Sequence, residues 1–139
     1  MRGSRSGLLI KLNGVPVHWR STVQKAPAIS PAEAEIYALS EGLRDARQVT
    51  DVAEEFGSAV ERPIVISVDN DQACAFSDES CVRSRLRGCF DYREDWVQEL
   101  RNRNVVRTEN IDSEENLADF FTKCFSKKSY LRLRRLIMW

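Results

Sequence analysis

The chain of 139 residues contains one histidine, His18, and four cysteines, Cys74, Cys81, Cys89 and Cys124, with no C-x-x-C pair among them. Those scarcities argue against a zinc centre or a disulfide framework and read as reduced, buried thiols in an intracellular setting. No run of about 18 apolar residues is present, and the start, Met1-Arg2-Gly3-Ser4-Arg5-Ser6, is no signal peptide. No membrane partner is therefore expected. An excess of either charge is also missing, since Lys+Arg and Asp+Glu both number 21. Contact with nucleic acid must then come from local patches and not from a global field. What remains is ordinary for a globular protein, 42% hydrophobic and 30% charged. A chain of this length forms one domain able to bury roughly 68% of its unfolded surface.

Two strands open the chain. Gly7–Asn13 alternates, with Leu8, Ile10 and Leu12 on one face, and Asn13-Gly14 is a strong type I′ hairpin signal. Val15–Arg20 returns as the second strand, with Val17 and Trp19 expected inward and His18 on the outer face. Ser21–Ile29 reads as a loop. The next helix begins with Ser30 as N-cap, Pro31 in the first position and Glu33 closing a capping box. Its apolar stripe recurs through Ile36, Leu39, Leu43, Ala46 and Ala53, and Gly57 ends it. Glu35 falls roughly 60° from the stripe's centre and Glu33 about 100°. Capping explains Glu33, whereas Glu35 borders the buried face, where a charge needs a reason.

The β-branched run Ile64–Val68 stops on Asp69 and reads as a buried central strand. That places Asp69 at the C-terminal edge of a sheet, where ligands of α/β folds gather, although a carboxylate there also suits the N-cap of a following helix. Beyond it the pattern predicts a short helix over Asp71–Phe76, a polar loop to Ser84, a helix over Cys89–Arg103 and a strand over Asn104–Thr108. A helix follows from Ser113, with Leu117, Phe120, Phe121 and Cys124 inward and Asp119 on its polar side. A basic amphipathic helix or tail, 126–139, closes the chain. Arg83, Arg85 and Arg87 form one basic cluster, and Lys123, Lys127, Lys128, Arg132, Arg134 and Arg135 another. Either could follow phosphates or be plain solvated surface.

Several blocks, in order and register, resemble the ribonuclease H domain of copia-type LTR retrotransposon polyproteins. They are Ser4-Arg5-Ser6-Gly7; His18-Trp19-Arg20-Ser21 with Gln24; Ser30-x-x-Glu33-Ala34-Glu35-x-Tyr37-Ala38-Leu39-Ser40; Asp69-Asn70; Phe90-Asp91-x-Arg93; and Asn116-Leu117-Ala118-Asp119-x-Phe121-Thr122-Lys123. The resemblance spans residues 4–125. It implies a ribonuclease H-like α/β fold, a mixed sheet flanked by helices. It also implies a reverse transcriptase domain in the same polyprotein and a cytoplasmic, virus-like-particle setting. Glu35, Asp69 and Asp119 match metal-binding carboxylates, so the implied cofactor is Mg²⁺ or Mn²⁺ at a two-metal site. The implied reaction is endonucleolytic hydrolysis of the RNA strand of an RNA–DNA hybrid. Asn70, Arg85 and Arg87 are candidate substrate contacts.

Two Mg²⁺ ions about 4 Å apart activate a water and stabilise the phosphoryl transition state, and they take oxygen ligands. Carboxylates about 5 Å apart repel by roughly 3 kcal/mol per pair at an effective dielectric of 20, a cost that bound cations convert into affinity. The family's first strand, which carries a further catalytic aspartate, has no counterpart after Met1. The expectation is a sheet without its first central strand, an incomplete metal site and little or no nuclease activity. Other departures are Gly88-Cys89 in place of a Lys-His pair, Asp95 in place of a histidine and Cys124 in place of a proline. The alternative is an inactive remnant that acts, if at all, as a structural or nucleic-acid-binding module.

Overall fold

The computed structural model describes residues 5–24, 31–69 and 92–138. Among them lie β1 (Arg5–Leu12), β2 (Val15–Val23), α1 (Pro31–Glu55), β3 (Ile64–Val68), α2 (Tyr92–Asn102), β4 (Val106–Asn110), a 3₁₀ turn (Leu117–Phe121) and α3 (Lys127–Met138). The fold is mixed α/β, as expected, and its order is compatible with the ribonuclease H-like arrangement. The predicted N-cap Ser30 and the predicted elements between Asp71 and Phe90 lie outside the described residues.

Local chemistry accounts for the element ends. Asn13 (φ 51°) and Gly14 (φ 80°) both take the left-handed conformation that a type I′ hairpin requires. Pro31 occupies the first turn of α1, where its missing N–H costs nothing. Gly57 (φ 80°) closes α1 by donating to the Glu54 carbonyl while Ser58 donates to Ala53, a Schellman cap. Asn104 (φ 54°) ends α2 the same way, with Asn104 donating to Arg101 and Val105 to Leu100. That cap delays the next strand, which starts at Val106 and not at the predicted Asn104.

β3 and β4 run parallel, register Ile64↔Val106 to Val68↔Asn110, with α2 in the connection between them. Leu39 and Leu43 of α1, Val97 and Leu100 of α2, and Val106 form the core, with Ile64, Ile66 and Val68 packed against it. β1 and β2 form a separate antiparallel pair, and no strand joins the two pairs among the described residues. β3 is therefore a half-buried edge strand here, not the buried central strand predicted, because only β4 pairs with it.

The hairpin faces opposite to expectation. Val17 (43% exposed) and Trp19 (60%) point outward, while His18 and Arg20 turn toward α1. The reason is Asp45, a buried carboxylate on α1 that needs partners. His18 Nε2 lies 3.3 Å and Arg20 Nη2 3.2 Å from its Oδ2, and Arg20 also reaches Glu41 at 3.1 Å. A register irregularity between Ile10 and Lys11 leaves Val17 as the extra residue. β2 also runs on to Val23, through part of the predicted loop.

The helix predicted from Ser113 is instead one short 3₁₀ turn, capped by Asn116 Oδ1 accepting from the Ala118 N–H at 3.0 Å. Gly7 packs so closely on this turn that a Cβ would meet Ala118 O and Thr122 Cγ2, each at 2.6 Å. Ser21 Oγ donates to the Phe121 carbonyl at 2.6 Å. α3 docks on the same turn, with Tyr130 stacked on Phe120 at 5.1 Å and Leu133 and Ile137 buried. No helix among the described residues is long and apolar enough to cross a membrane.

Candidate functional site

Three elements converge at one end of the molecule. α1 brings Glu35 from its first turns, β3 ends on Asp69, and the 3₁₀ turn carries Asp119. Glu35 is half-buried, and its pKa is raised above the ordinary 4.5 by burial first, then by the charges of Asp69 and Asp119. Those two carboxylates lie 50 residues apart in sequence (69 to 119), yet both act on one glutamate. Glu35 and Asp69 also line one cavity of about 400 Å³.

Lys123 answers part of this negative charge. Its Nζ donates to Asp119 Oδ2 at 2.5 Å, across one helical turn. The Asp119 side chain is only 14% exposed, so of the two readings its polar-side position left open, groove-lining and solvated, it is tucked in and not solvated. The hydrogen bond to Asp119, helped by the charges of Asp119, Asp69 and Glu35, holds the Lys123 ammonium above its usual pKa. Sequence reasoning placed Lys123 in a basic cluster and at the end of the last resemblance block, without naming Asp119 as its partner. Its spacing of four residues from Asp119 was the signal for the pair.

Gln24 is a second residue whose work the sequence did not disclose. Its Nε2 donates to Ser6 Oγ at 2.9 Å and to the Ala34 carbonyl at 2.8 Å, tying β1 to α1 beside Glu35. At Asp69, Ser113 Oγ makes a long contact of 3.5 Å. Asn70, Arg85 and Arg87 lie outside the described residues.

The donor set is wholly oxygen, which suits Mg²⁺ or Mn²⁺. The arrangement is not closed: among the described residues no three Asp, Glu, His or Cys side chains stand together closely enough to hold a metal ion. Asp119 is committed to Lys123 instead. The oxygen chemistry of Glu35, Asp69 and Asp119 is of the kind a divalent cation takes, and Lys123 already neutralises part of their charge.

An α/β domain with carboxylates gathered at a strand end is the class defined so far. Relatives make it more particular. The chain is 26% identical over 136 residues to the "Retrovirus-related Pol polyprotein from transposon TNT 1-94" of Nicotiana tabacum, covering 98% of this chain and 10% of that protein. It is 25% identical over 128 residues to the "Retrovirus-related Pol polyprotein from transposon RE1" of Arabidopsis thaliana, covering 91% and 9%. A shorter match, 49% over 49 residues, links it to "Secreted RxLR effector protein 161" of Plasmopara viticola, covering 35% of this chain and 34% of that one. No family model and no solved structure matches. Its homologues are thus Pol polyproteins of plant transposons, of whose length the chain spans about a tenth.

Proposed function

We propose that the chain is a ribonuclease H-like piece of a retrotransposon Pol polyprotein. Its Glu35, Asp69 and Asp119 are the metal-binding carboxylates of a nuclease acting on RNA–DNA hybrids. The observation that carries this reading is Glu35, a half-buried acid on which the charges of two further acids from distant parts of the chain act. Gathered like charges cost stability, and the single Lys123 ammonium offsets only part of three carboxylates, so a further cation would be favoured there. Bound divalent ions would supply water activation and charge stabilisation for phosphoryl transfer. Glu35 and Asp69 would hold them from the cavity wall, and Asp119 from the 3₁₀ turn once released by Lys123. Asn70, Arg85 and Arg87 remain the candidate contacts to the hybrid.

The activity of this chain alone is proposed to be low or nil. Two unjoined half-sheets and an unclosed ligand set support that part of the reading. They also favour the second reading, an inactive module that keeps the architecture. Titration calorimetry of Mn²⁺ into the wild-type chain and Asp69→Asn separates the two. Binding weakened by the substitution is expected, and equal heats would remove the site. A hybrid-cleavage assay in Mg²⁺ should show little turnover, and robust cutting abolished by Asp69→Asn would overturn the claim of low activity.

A further inference from the structure

Two exposed patches of opposite charge lie away from the carboxylates. The first is the outer face of the hairpin. His18 and Arg20 turn toward α1, so Val15, Val17, Trp19 and Val23 of β2 look away from it, each 43–60% exposed. Four large apolar side chains along one strand are a contiguous patch and not scattered surface residues. Leu8 reaches Gly42 of α1, which leaves Arg5 and Lys11 of β1 on the outer face. Lys11 Nζ donates to the Leu136 carbonyl at 3.2 Å, which holds α3 along β1. α3 adds Lys127, Lys128 and three arginines and carries no acid. The face is therefore apolar along β2 and cationic beside it.

The second patch is the C-terminal tip of α1. Val52 is half exposed and Phe56 85% exposed. The Phe56 N–H donates to the Val52 carbonyl at 3.1 Å, so the two side chains, four residues apart, form one ridge. Asp51 and Glu55, both exposed and also four apart, run beside it, while Glu54 is paired with Arg62 at 2.9 Å. This arrangement costs α1 stability, since like charges one turn apart repel and acids oppose the negative end of the helix dipole. No base in the last turn of α1 relieves them. α3 shows the reverse, with Lys127 and Lys128 at the positive end of its dipole and no acid in its first turn. Both patches look the same way. Val52 and Phe56 lie seven and eleven residues beyond Asp45, within about 20° of its direction on the helix, and Asp45 faces the hairpin. Their exposure puts them past the hairpin's cover. The outer face of the hairpin points in that same direction, one layer further out.

We propose that the chain pairs with a second copy of itself about a two-fold axis, the α1 tip of each copy seated on the hairpin face of the other. Val52 and Phe56 then cover Trp19 and its neighbouring valines, and Asp51 and Glu55 meet the cations that flank β2. A raised hairpin beside a recessed helix tip is a step that fits its own two-fold mate, so each pair makes the contact twice. Charge selects this occupant. Face against face would set cation against cation, whereas tip against face sets acid against base around an apolar centre. Nucleic acid would meet the cations but find no stacking platform in the valines. A chain cannot satisfy itself, because its outer face looks away from its own α1. The inference stands apart from the nuclease reading, since it needs neither metal nor substrate.

The test is sedimentation of the full chain in chelator at rising concentration. The expected result is a monomer–dimer equilibrium that stops at two copies, weakened about tenfold as salt rises from about 0.05 M to about 0.5 M. Trp19→Gln and Phe56→Gln, both at exposed positions, should keep the urea midpoint and each weaken pairing at least tenfold. Mixed one to one, the two variants should recover part of the pairing, because Phe56 of one chain still meets Trp19 of the other. A monomeric wild-type chain, pairing untouched by either substitution, a mixture no better than the single variants, or assemblies that grow past two copies would each overturn the proposal. So would a monomeric chain that binds an oligonucleotide or phosphatidylserine vesicles and loses that binding in Trp19→Gln, a result that gives the face to a phosphate-bearing partner.

Discussion

Glu35 pays for its neighbours, and the cost has a sign that can be measured. Its folded pKa lies above the ordinary 4.5, so the folded chain binds this proton more tightly than the unfolded one. Its contribution to stability is complete below that ordinary value and is lost as pH rises through the raised one. Glu35→Gln should therefore raise the urea midpoint of the metal-free chain near pH 7 and leave it unchanged near pH 4. Denaturation curves at the two pH values check this. Lys123 competes with any cation for Asp119. Lys123→Met should tighten Mn²⁺ binding on the order of tenfold, the scale of one nearby unit charge in a partly screened site. Calorimetry reads that outcome, and unchanged affinity would show that Asp119 is no ligand. Of these residues, Glu35 was legible from the helical wheel and Asp69 from its strand end. Asp119 rested on the resemblance, because a polar-face position fits a ligand and a solvated acid equally.

Among the elements, α1 was the most legible, since its Pro31 start, its stripe and its Gly57 stop all agree. Its centre is Leu43, 0% exposed, and Leu43→Ala should cost about 2–5 kcal/mol in chemical denaturation. The hairpin turn was legible from Asn13-Gly14, but its facing was not. Alternation says which residues share a face and is silent on which face turns inward. Asp45 decided that, and a buried acid on a helix 25 residues downstream of Arg20 leaves no trace in the strand's own pattern. The 3₁₀ turn was misread as a longer helix because its apolar spacing, Leu117 with Phe120 and Phe121, suits both. Its link to β1 is testable through Gly7. In Gly7→Ala the new methyl meets backbone at 2.6 Å, so the turn must shift. The chain should lose about 1–3 kcal/mol and its Mn²⁺ affinity should fall, with denaturation and calorimetry as the readouts.

Taken whole, the molecule is two bodies of unequal cohesion. The β3–β4 pair shares an apolar core with α1 and α2, whereas the hairpin meets α1 through charged groups, the Leu8–Gly42 approach and Gln24. Amide exchange should follow that division, with β1 and β2 opening at lower free energy than α1 around Leu43. Equal protection throughout would show a single cooperative unit. The overall α/β class was readable from element order, and the gap between the two strand pairs was expected from the resemblance, whose first central strand has no counterpart here. The charged join between hairpin and helix then has a mechanical consequence. A seam of His18, Arg20, Asp45 and Glu41 is held by charge, so added salt should weaken it before it touches the apolar core around Leu43, and the hairpin is the part that loosens first.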